Sequence, residues 1–276
     1  MMTFPNAKIN LGLHIINRRN DGYHNIDTVF YPVDWCDSLE IIDTNHKESR
    51  GSFNLVVKGA SFYGQSHNNL CHKAYTLLKS KFDLPAMDCF LQKDIPSGAG
   101  LGGGSSDATN TLLLINKVEG LKLSQEQLSS FAAELGSDCS FFLLNKPLRA
   151  AEKGSTFYPV ELSLSAYYIV IVMPPFTMST SEAYSLIKPV TPDIPLESVI
   201  MLPVANWKYA LKNDFEEVVF RKYPALKTIK ETLYEHDALY ASMSGSGTAV
   251  YGIFKEKKSL DHIFKDSKVW SGKAQY

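Results

Sequence analysis

Pro96-Ser97-Gly98-Ala99-Gly100-Leu101-Gly102-Gly103-Gly104-Ser105-Ser106 is the stretch on which the reading of this chain turns. Five glycines fall within the seven positions 98 to 104, so a ligand can approach the backbone with no Cβ in the way. Asp88 to Lys93, just before it, reads as a short strand. Ser105, just after it, opens an apolar helix running to about Val118. A glycine loop leading into a helix N-terminus offers unpaired N–H groups and the positive end of a dipole, which together suit phosphate. Ser105 and Ser106 add hydroxyl donors. A flexible Gly/Ser linker is the plain alternative, but a linker need not sit between a strand and a well-formed helix.

Several phosphate folds are excluded by what surrounds the loop. Gly98, Gly100 and Gly103 fit the GxGxxG dinucleotide pattern, which also needs a strand ending in an acidic residue about 20 positions on. Glu119 is close to that distance, yet Gly120 to Ser124 leads into a helix cap. No GxxxxGK[ST] is present, so this is not a P-loop NTPase, and without HRD or DFG it is not a protein kinase.

Outward from the loop, Ala7 to Ile16, Asp27 to Val33 and Phe53 to Lys58 read as strands. Leu70, Ala74, Leu77, Leu78 and Phe82 form a helical stripe behind the capping pair Asn68-Asn69. Ser124 to Gln127 is a capping box for a helix that Gly136 ends. Farther on, Tyr167 to Met173 reads as a strand, Ser179 to Glu182 as a second capping box, and Leu196 to Met201, Ala205 to Phe220 and Ala225 to His236 as helices. Leu239 to Met243 and Ala249 to Phe254 read as paired strands around Ser244-Gly245-Ser246-Gly247. From Lys255 onward no signal stands out. Helices and strands mix without a regular βαβ rhythm, so the expected class is α+β, with a boundary near residue 160 separating domains 1–160 and 161–276.

Composition narrows the function. Of 276 residues, 45% are hydrophobic, enough for a core, and 28 Lys plus Arg stand against 29 Asp plus Glu. That balance lacks the positive excess of a nucleic-acid binder. Cys36, Cys71, Cys89 and Cys139 contain no CxxC pair, which disfavours a zinc cluster. The longest apolar run, Ala166 to Met173, is far short of the about 20 residues that span a bilayer, and the N-terminus lacks a signal-peptide pattern. A cytoplasmic protein with reduced thiols, using neither nucleic acid nor membrane, is expected.

Read alone, the remaining polar residues have ordinary explanations beside functional ones. Asp138 begins a short helix and suits an N-cap; Lys8 suits a solvent-facing strand position; Asp21-Gly22-Tyr23-His24 is turn chemistry. Asn69 caps a helix, and Lys93 reads as a surface lysine at a strand end. Asp107 either favours the helix N-terminus or assists a metal.

The motifs together resemble the GHMP small-molecule kinases. Gly98 to Asp107 resembles their ATP loop, Ala7-Lys8-Ile9-Asn10-Leu11 their first motif, and Arg19 to His24 a substrate segment. Leu135-Gly136-Ser137-Asp138 with Phe141-Phe142 resembles the catalytic-acid segment, and Ser244 to Gly247 the late glycine motif. Cys139-Ser140 stands where Val-Pro is common, and Ser137 where Ala is usual. The resemblance implies a two-domain α+β GHMP kinase fold, with an N-terminal domain like ribosomal protein S5 domain 2 and an α+β C-terminal domain. It implies ATP as phosphoryl donor with Mg²⁺, and catalysis by Asp138 as base beside Lys8. ATP would be held by Asn69, Lys93 and the loop residues Pro96, Ser97, Gly98, Ala99, Gly100, Leu101, Gly102, Gly103, Gly104, Ser105 and Ser106. A cytidine diphosphate-linked methylerythritol would be the small-molecule substrate, held by Asn10, Tyr23, His24, Phe30, Thr180 and Tyr184, in a monomer or homodimer. A mevalonate- or homoserine-type kinase, or a nucleotide-binding module without catalysis, is the alternative.

Overall fold

The computed structural model describes residues 1–44, 51–59 and 68–276. Two compact units emerge, each assembled from more than one stretch of chain: 1–7, 35–97 and 102–145 in the first, 8–34, 98–101 and 146–276 in the second.

The first unit contains a four-stranded sheet in the order β1-β4-β6-β5, from β1 (Met2–Thr3), β4 (Ser38–Asp43), β5 (Phe53–Gly59) and β6 (Met87–Lys93). β5 and β6 run parallel, an arrangement that needs a crossover connection, and α1 (Leu70–Lys79) lies in that crossover. Asn69 caps α1 by accepting from the Cys71 N–H at 2.9 Å. β6 alternates strictly, with Met87, Cys89 and Leu91 inward. They pack with Leu39, Ile41, Ala74, Leu78, Leu112 and Ile115 in one core under α1 and α2 (Gly103–Val118). α3 (Gln125–Leu135) starts at Ser124 with both halves of the expected capping box formed, and α4 (Cys139–Leu144) follows Gly136.

The second unit carries two four-stranded sheets. One has the order β2-β3-β7-β8, from β2 (Asn6–Arg18), β3 (His24–Cys36), β7 (Leu148–Glu152) and β8 (Thr156–Pro159). The other has the order β10-β11-β9-β12, from β9 (Tyr168–Met173), β10 (Tyr240–Met243), β11 (Val250–Phe254) and β12 (Lys268–Lys273), antiparallel throughout. Five short helices belong to this unit: α5 (Thr180–Leu186), α6 (Leu196–Ile200), α7 (Val204–Ala210), α8 (Phe215–Lys222) and α9 (Pro224–Glu235). Leu13, Val170, Val172, Phe215, Val219, Leu226, Leu233, Val250 and Phe254 fill its core.

Two sequence expectations need correction. The single helix expected from Ala205 to Phe220 is two, α7 and α8. The break is tertiary in origin: Leu13 N–H donates to Lys212 O and Asp214 N–H to Leu13 O, both at 2.8 Å, so the segment pairs with β2 instead of continuing a helix. The tail after Lys255 holds β12, which covers the open side of β9. Its sequence Lys-Val-Trp-Ser-Gly-Lys is too short and polar to announce a strand without that neighbour.

Candidate active site

In the first unit the glycine-rich segment ends in α2. Gly102 holds a left-handed conformation at φ +71° as the helix N-cap, a conformation that costs a residue with a Cβ roughly 1–2 kcal/mol. A Cβ on Gly103 would stand 2.9 Å from Ile95 Cγ2, so packing requires that glycine. Gly104 differs from both. It is exposed in the first turn, has no left-handed φ, and its Cβ would find only Leu70 Cδ1 at 3.9 Å. Nothing in the fold needs Gly104 to lack a side chain. Two residues on, Ser106 Oγ is buried with no hydrogen-bond partner among the described residues, as is Asp107 Oδ1.

Lys93 corrects its surface reading. The alternation of β6 turns it inward with Cys89 and Leu91, and it is 3% exposed. Its ammonium donates to Asp37 Oδ2 and, at 2.7 Å, to Asp107 Oδ2. Burial pushes the Asp107 carboxyl up to about 7, with the Asp37 charge adding to the effect and Lys93 opposing it. Lys93 thus engages one oxygen of Asp107, Oδ2, and leaves Oδ1 to other partners.

Asp138 takes the N-cap position of α4, but its backbone is already helical at φ −77° and its side chain makes no capping hydrogen bond. The Ser137 hydroxyl donates to it at 3.4 Å. α4 is tied to α2 where the Thr109 hydroxyl donates to Cys139 O at 2.8 Å.

In the second unit, Lys8 is buried, not solvent-facing as its strand position alone suggests. Its ammonium donates to Asn10 Oδ1 at 2.7 Å and to Gly100 O at 3.1 Å, and sits 4.7 Å from the centre of the Phe30 ring. Asn10 in turn donates to Thr28 Oγ1 at 3.0 Å. The two glycine segments interlock above this row. Ser244 Oγ accepts from the Asn10 N–H at 3.2 Å and donates to Gly100 O at 2.9 Å. A Cβ on Gly100 would lie 2.0 Å from Ser244 O, so only glycine fits. Asn213 Nδ2 holds the late segment by donating to Met243 O at 2.8 Å and Gly245 O at 2.9 Å. Thr180 and Ser246 meet through their hydroxyls at 3.2 Å.

The aromatic residues separate into three settings. Tyr23 is 63% exposed, with Lys153 Nζ 4.5 Å from its ring centre. Lys153 also pairs with Asp21 at 2.8 Å and holds that carboxyl down to about 2. His24 stacks on Tyr184 at 4.9 Å, and burial lowers its proton affinity, with Arg18 adding to the effect. That favours the neutral imidazole, one donor and one acceptor. Phe30 is a core residue, 2% exposed beneath Lys8.

Sequence reasoning missed Asp37, Thr28, Lys153 and Asn213. Asp37 follows a strand as any turn Asp does. Asn213 lies inside an apparent helix, where an Asn is unremarkable until its long-range partners are known.

Known proteins settle the family. The family described as GHMP kinases N terminal domain matches residues 69–146, and GHMP kinases C terminal matches 204–266. A 4-diphosphocytidyl-2-C-methyl-D-erythritol kinase of Bacteroides fragilis is 49% identical over 94% of each chain. The chain belongs to the GHMP kinase family. A second such kinase, from Parabacteroides distasonis, is 44% identical over 99% of each chain. A crystal structure of 4-(cytidine 5'-diphospho)-2C-methyl-D-erythritol kinase superposes with TM-score 0.79 at 29% identity, covering 99% of this chain and 98% of that one. The mevalonate kinase of Methanococcus jannaschii, at TM-score 0.72 and 15% identity over 100% and 98%, shares the fold. This GHMP kinase thus has the α+β class expected of it, and ATP is the family's phosphoryl donor. Among the described residues no helix is long and apolar enough to cross a membrane.

Proposed function

We propose that this kinase transfers the γ-phosphoryl group of ATP to the 2-hydroxyl of 4-diphosphocytidyl-2-C-methyl-D-erythritol, giving the 2-phosphate and ADP, a cytoplasmic step in non-mevalonate isoprenoid supply. The observation that carries the reading is the near full-length identity of 49% with a kinase named for that substrate. Phosphoryl transfer asks the protein mainly for positioning and charge neutralisation. The hydroxyl oxygen bonds to the γ-phosphorus as the bond to the bridging oxygen breaks, and Asp138 takes the hydroxyl proton. Lys8, held by Asn10 and Gly100 O, opposes the charge that develops in transfer. The segment from Pro96 to Ser106 cradles the phosphates, with Asn69 on the adenine side. Tyr23 offers a flat face to the pyrimidine, and His24 and Tyr184 its hydrogen-bonding and stacking neighbours, with Thr180 completing the acceptor's surroundings and the buried Asn10 and Phe30 serving the acceptor through Lys8.

Mg²⁺ fits this reading as the companion of the nucleotide. Among the described residues no group of three or more His, Cys, Asp or Glu is placed to hold a metal ion. Mg²⁺ is commonly bound through substrate phosphates and waters with few protein ligands, and the first-turn hydroxyl of Ser105 is the donor this chain offers nearby. When bound, the ion neutralises phosphate charge.

Asp138→Asn tests the assignment of the base. Turnover is expected to fall by about 10²-fold or more while ATP binding is retained. Near-normal turnover in that variant would remove Asp138 from the role. Competition by free cytidine nucleotides against the acceptor separates this reading from a mevalonate- or homoserine-type kinase, which has no pyrimidine to recognise.

A further inference from the structure

We propose that Asp37, Lys93 and Asp107 form a positioning clamp that joins the two ends of the glycine loop and thereby sets the pose of the α2 N-terminus toward the phosphates of ATP. The proposal rests on reading Pro96 to Ser106 as the phosphate loop. All three side chains are buried, Asp37 at 1% and Asp107 at 2% exposure. They come from three places in the first unit: the turn between β3 and β4, the last residue of β6, and α2.

Asp37 grips the strand side of the loop at three points. Its Oδ2 accepts from Lys93 Nζ, and its Oδ1 accepts from the backbone N–H groups of Asp94 at 2.6 Å and Ile95 at 2.8 Å. Lys93 then carries the hold across to α2 through Asp107. The helix start lies directly on the clamp, because a Cβ on Gly103 would come within 2.9 Å of Ile95 and 3.3 Å of Lys93 Nζ. The chain entering the loop and the helix leaving it are therefore fixed to one another by side chains that never enter the loop.

Such a device answers a specific problem. Ordering a residue costs backbone entropy, and glycine loses the most. A phosphate loop built of glycines must be held from outside if nucleotide binding is not to pay for ordering it. A buried ion pair contributes little net stability compared with an apolar contact of the same shape, while it specifies geometry. Two carboxylates sharing one ammonium fit the second role better than the first. Lys93 has both carboxylates within reach and is shut away from solvent, so it acts through Asp37 and Asp107 as a positioning residue.

The test compares steady-state kinetics of Lys93→Met, Asp107→Ala and Asp107→Asn with wild type, each variant checked for folding by circular dichroism and thermal melting. Lys93→Met and Asp107→Ala are expected to raise KM for Mg-ATP about tenfold or more, with the acceptor KM within about threefold of wild type. Asp107→Asn keeps an oxygen for Lys93 and is expected to raise the ATP KM by a smaller factor than Asp107→Ala does. A merely structural role would move both KM values together. Should Lys93→Met not fold, the two Asp107 variants decide, since alanine and asparagine both suit the helix position. Unchanged ATP KM in folded variants, equal effects of alanine and asparagine, or matched rises in both KM values would overturn the clamp. A wild-type chain that binds no ATP would instead overturn the phosphate-loop reading beneath it.

Discussion

Gly104→Ala separates the demands of the fold from those of the nucleotide. The new methyl group would meet Leu70 Cδ1 at 3.9 Å, an ordinary contact, and the position is exposed and free of left-handed strain. On stability alone alanine should be the better residue, since glycine in a helix costs roughly 0.5–1 kcal/mol relative to it. The ligand-free variant should therefore melt at or above the wild-type temperature. If phosphate oxygens approach the backbone of this first turn, the methyl group stands in their way. Losing one hydrogen bond of about 1.4 kcal/mol weakens ATP about tenfold. Because a ligand raises apparent stability in proportion to the logarithm of its concentration over Kd, the order of the two melting curves should reverse as ATP is added. Titration calorimetry gives the same Kd change independently. Gly100→Ala is the contrast: its Cβ would stand 2.0 Å from Ser244 O at a φ of +77°, so that variant should lose stability before any ligand is present. A Gly104→Ala protein that binds ATP as tightly as wild type would refute the argument that this glycine serves the nucleotide.

Other outcomes follow from the same geometry. Asp107 has its carboxyl raised from an ordinary 3.8 to about 7, so its contribution to stability is whole below pH 3.8 and is lost as the pH rises through about 7. Relative to wild type, Asp107→Asn should gain stability in thermal melts as the pH rises from about 4 to about 7, with the gain levelling off above that; an offset that is constant from about pH 4 to about pH 7 would contradict this. Tyr23→Ala removes an exposed ring and should raise the acceptor KM about tenfold, as base stacking of roughly 1–3 kcal/mol implies, with ATP KM unmoved. Asn213→Ala frees two buried carbonyls at the late glycine segment and should cost about 1–3 kcal/mol in denaturant unfolding; a loss below that range would mean the segment is held by other contacts.

What could be read in the sequence was what is decided locally. The Ser124 capping box, the α1 stripe behind Asn69 and the glycine run before α2 each carry their cause within a few residues; the box appears where expected, while α1 ends at Lys79 before Phe82 and α2 starts at Gly103, two residues ahead of Ser105. The paired strands around Ser244 to Gly247 are likewise present as β10 and β11. β4 went unread, because its run is short and the alternation that turns Leu39 and Ile41 inward is blurred by Ile42. Lys93 is the instructive case: the period of two that turns Cys89 and Leu91 inward also turns Lys93 inward, against the habit of reading lysine as surface. The remainder depends on partners far away in the chain. β12 becomes a strand because β9 has an open side, and the helix break before Phe215 exists because Leu13 takes up the backbone of 212–214. Asp37 gains its role from Lys93 and from the N–H groups of Asp94 and Ile95, none of which a turn aspartate reveals on its own.

The central claim is most directly tested by ADP release from the purified chain with Mg-ATP and 4-diphosphocytidyl-2-C-methyl-D-erythritol. The account predicts ADP formation that depends on the acceptor, together with a product heavier by one phosphoryl group. A folded sample that binds ATP yet releases no ADP with this acceptor, while turning over mevalonate or homoserine, would contradict it.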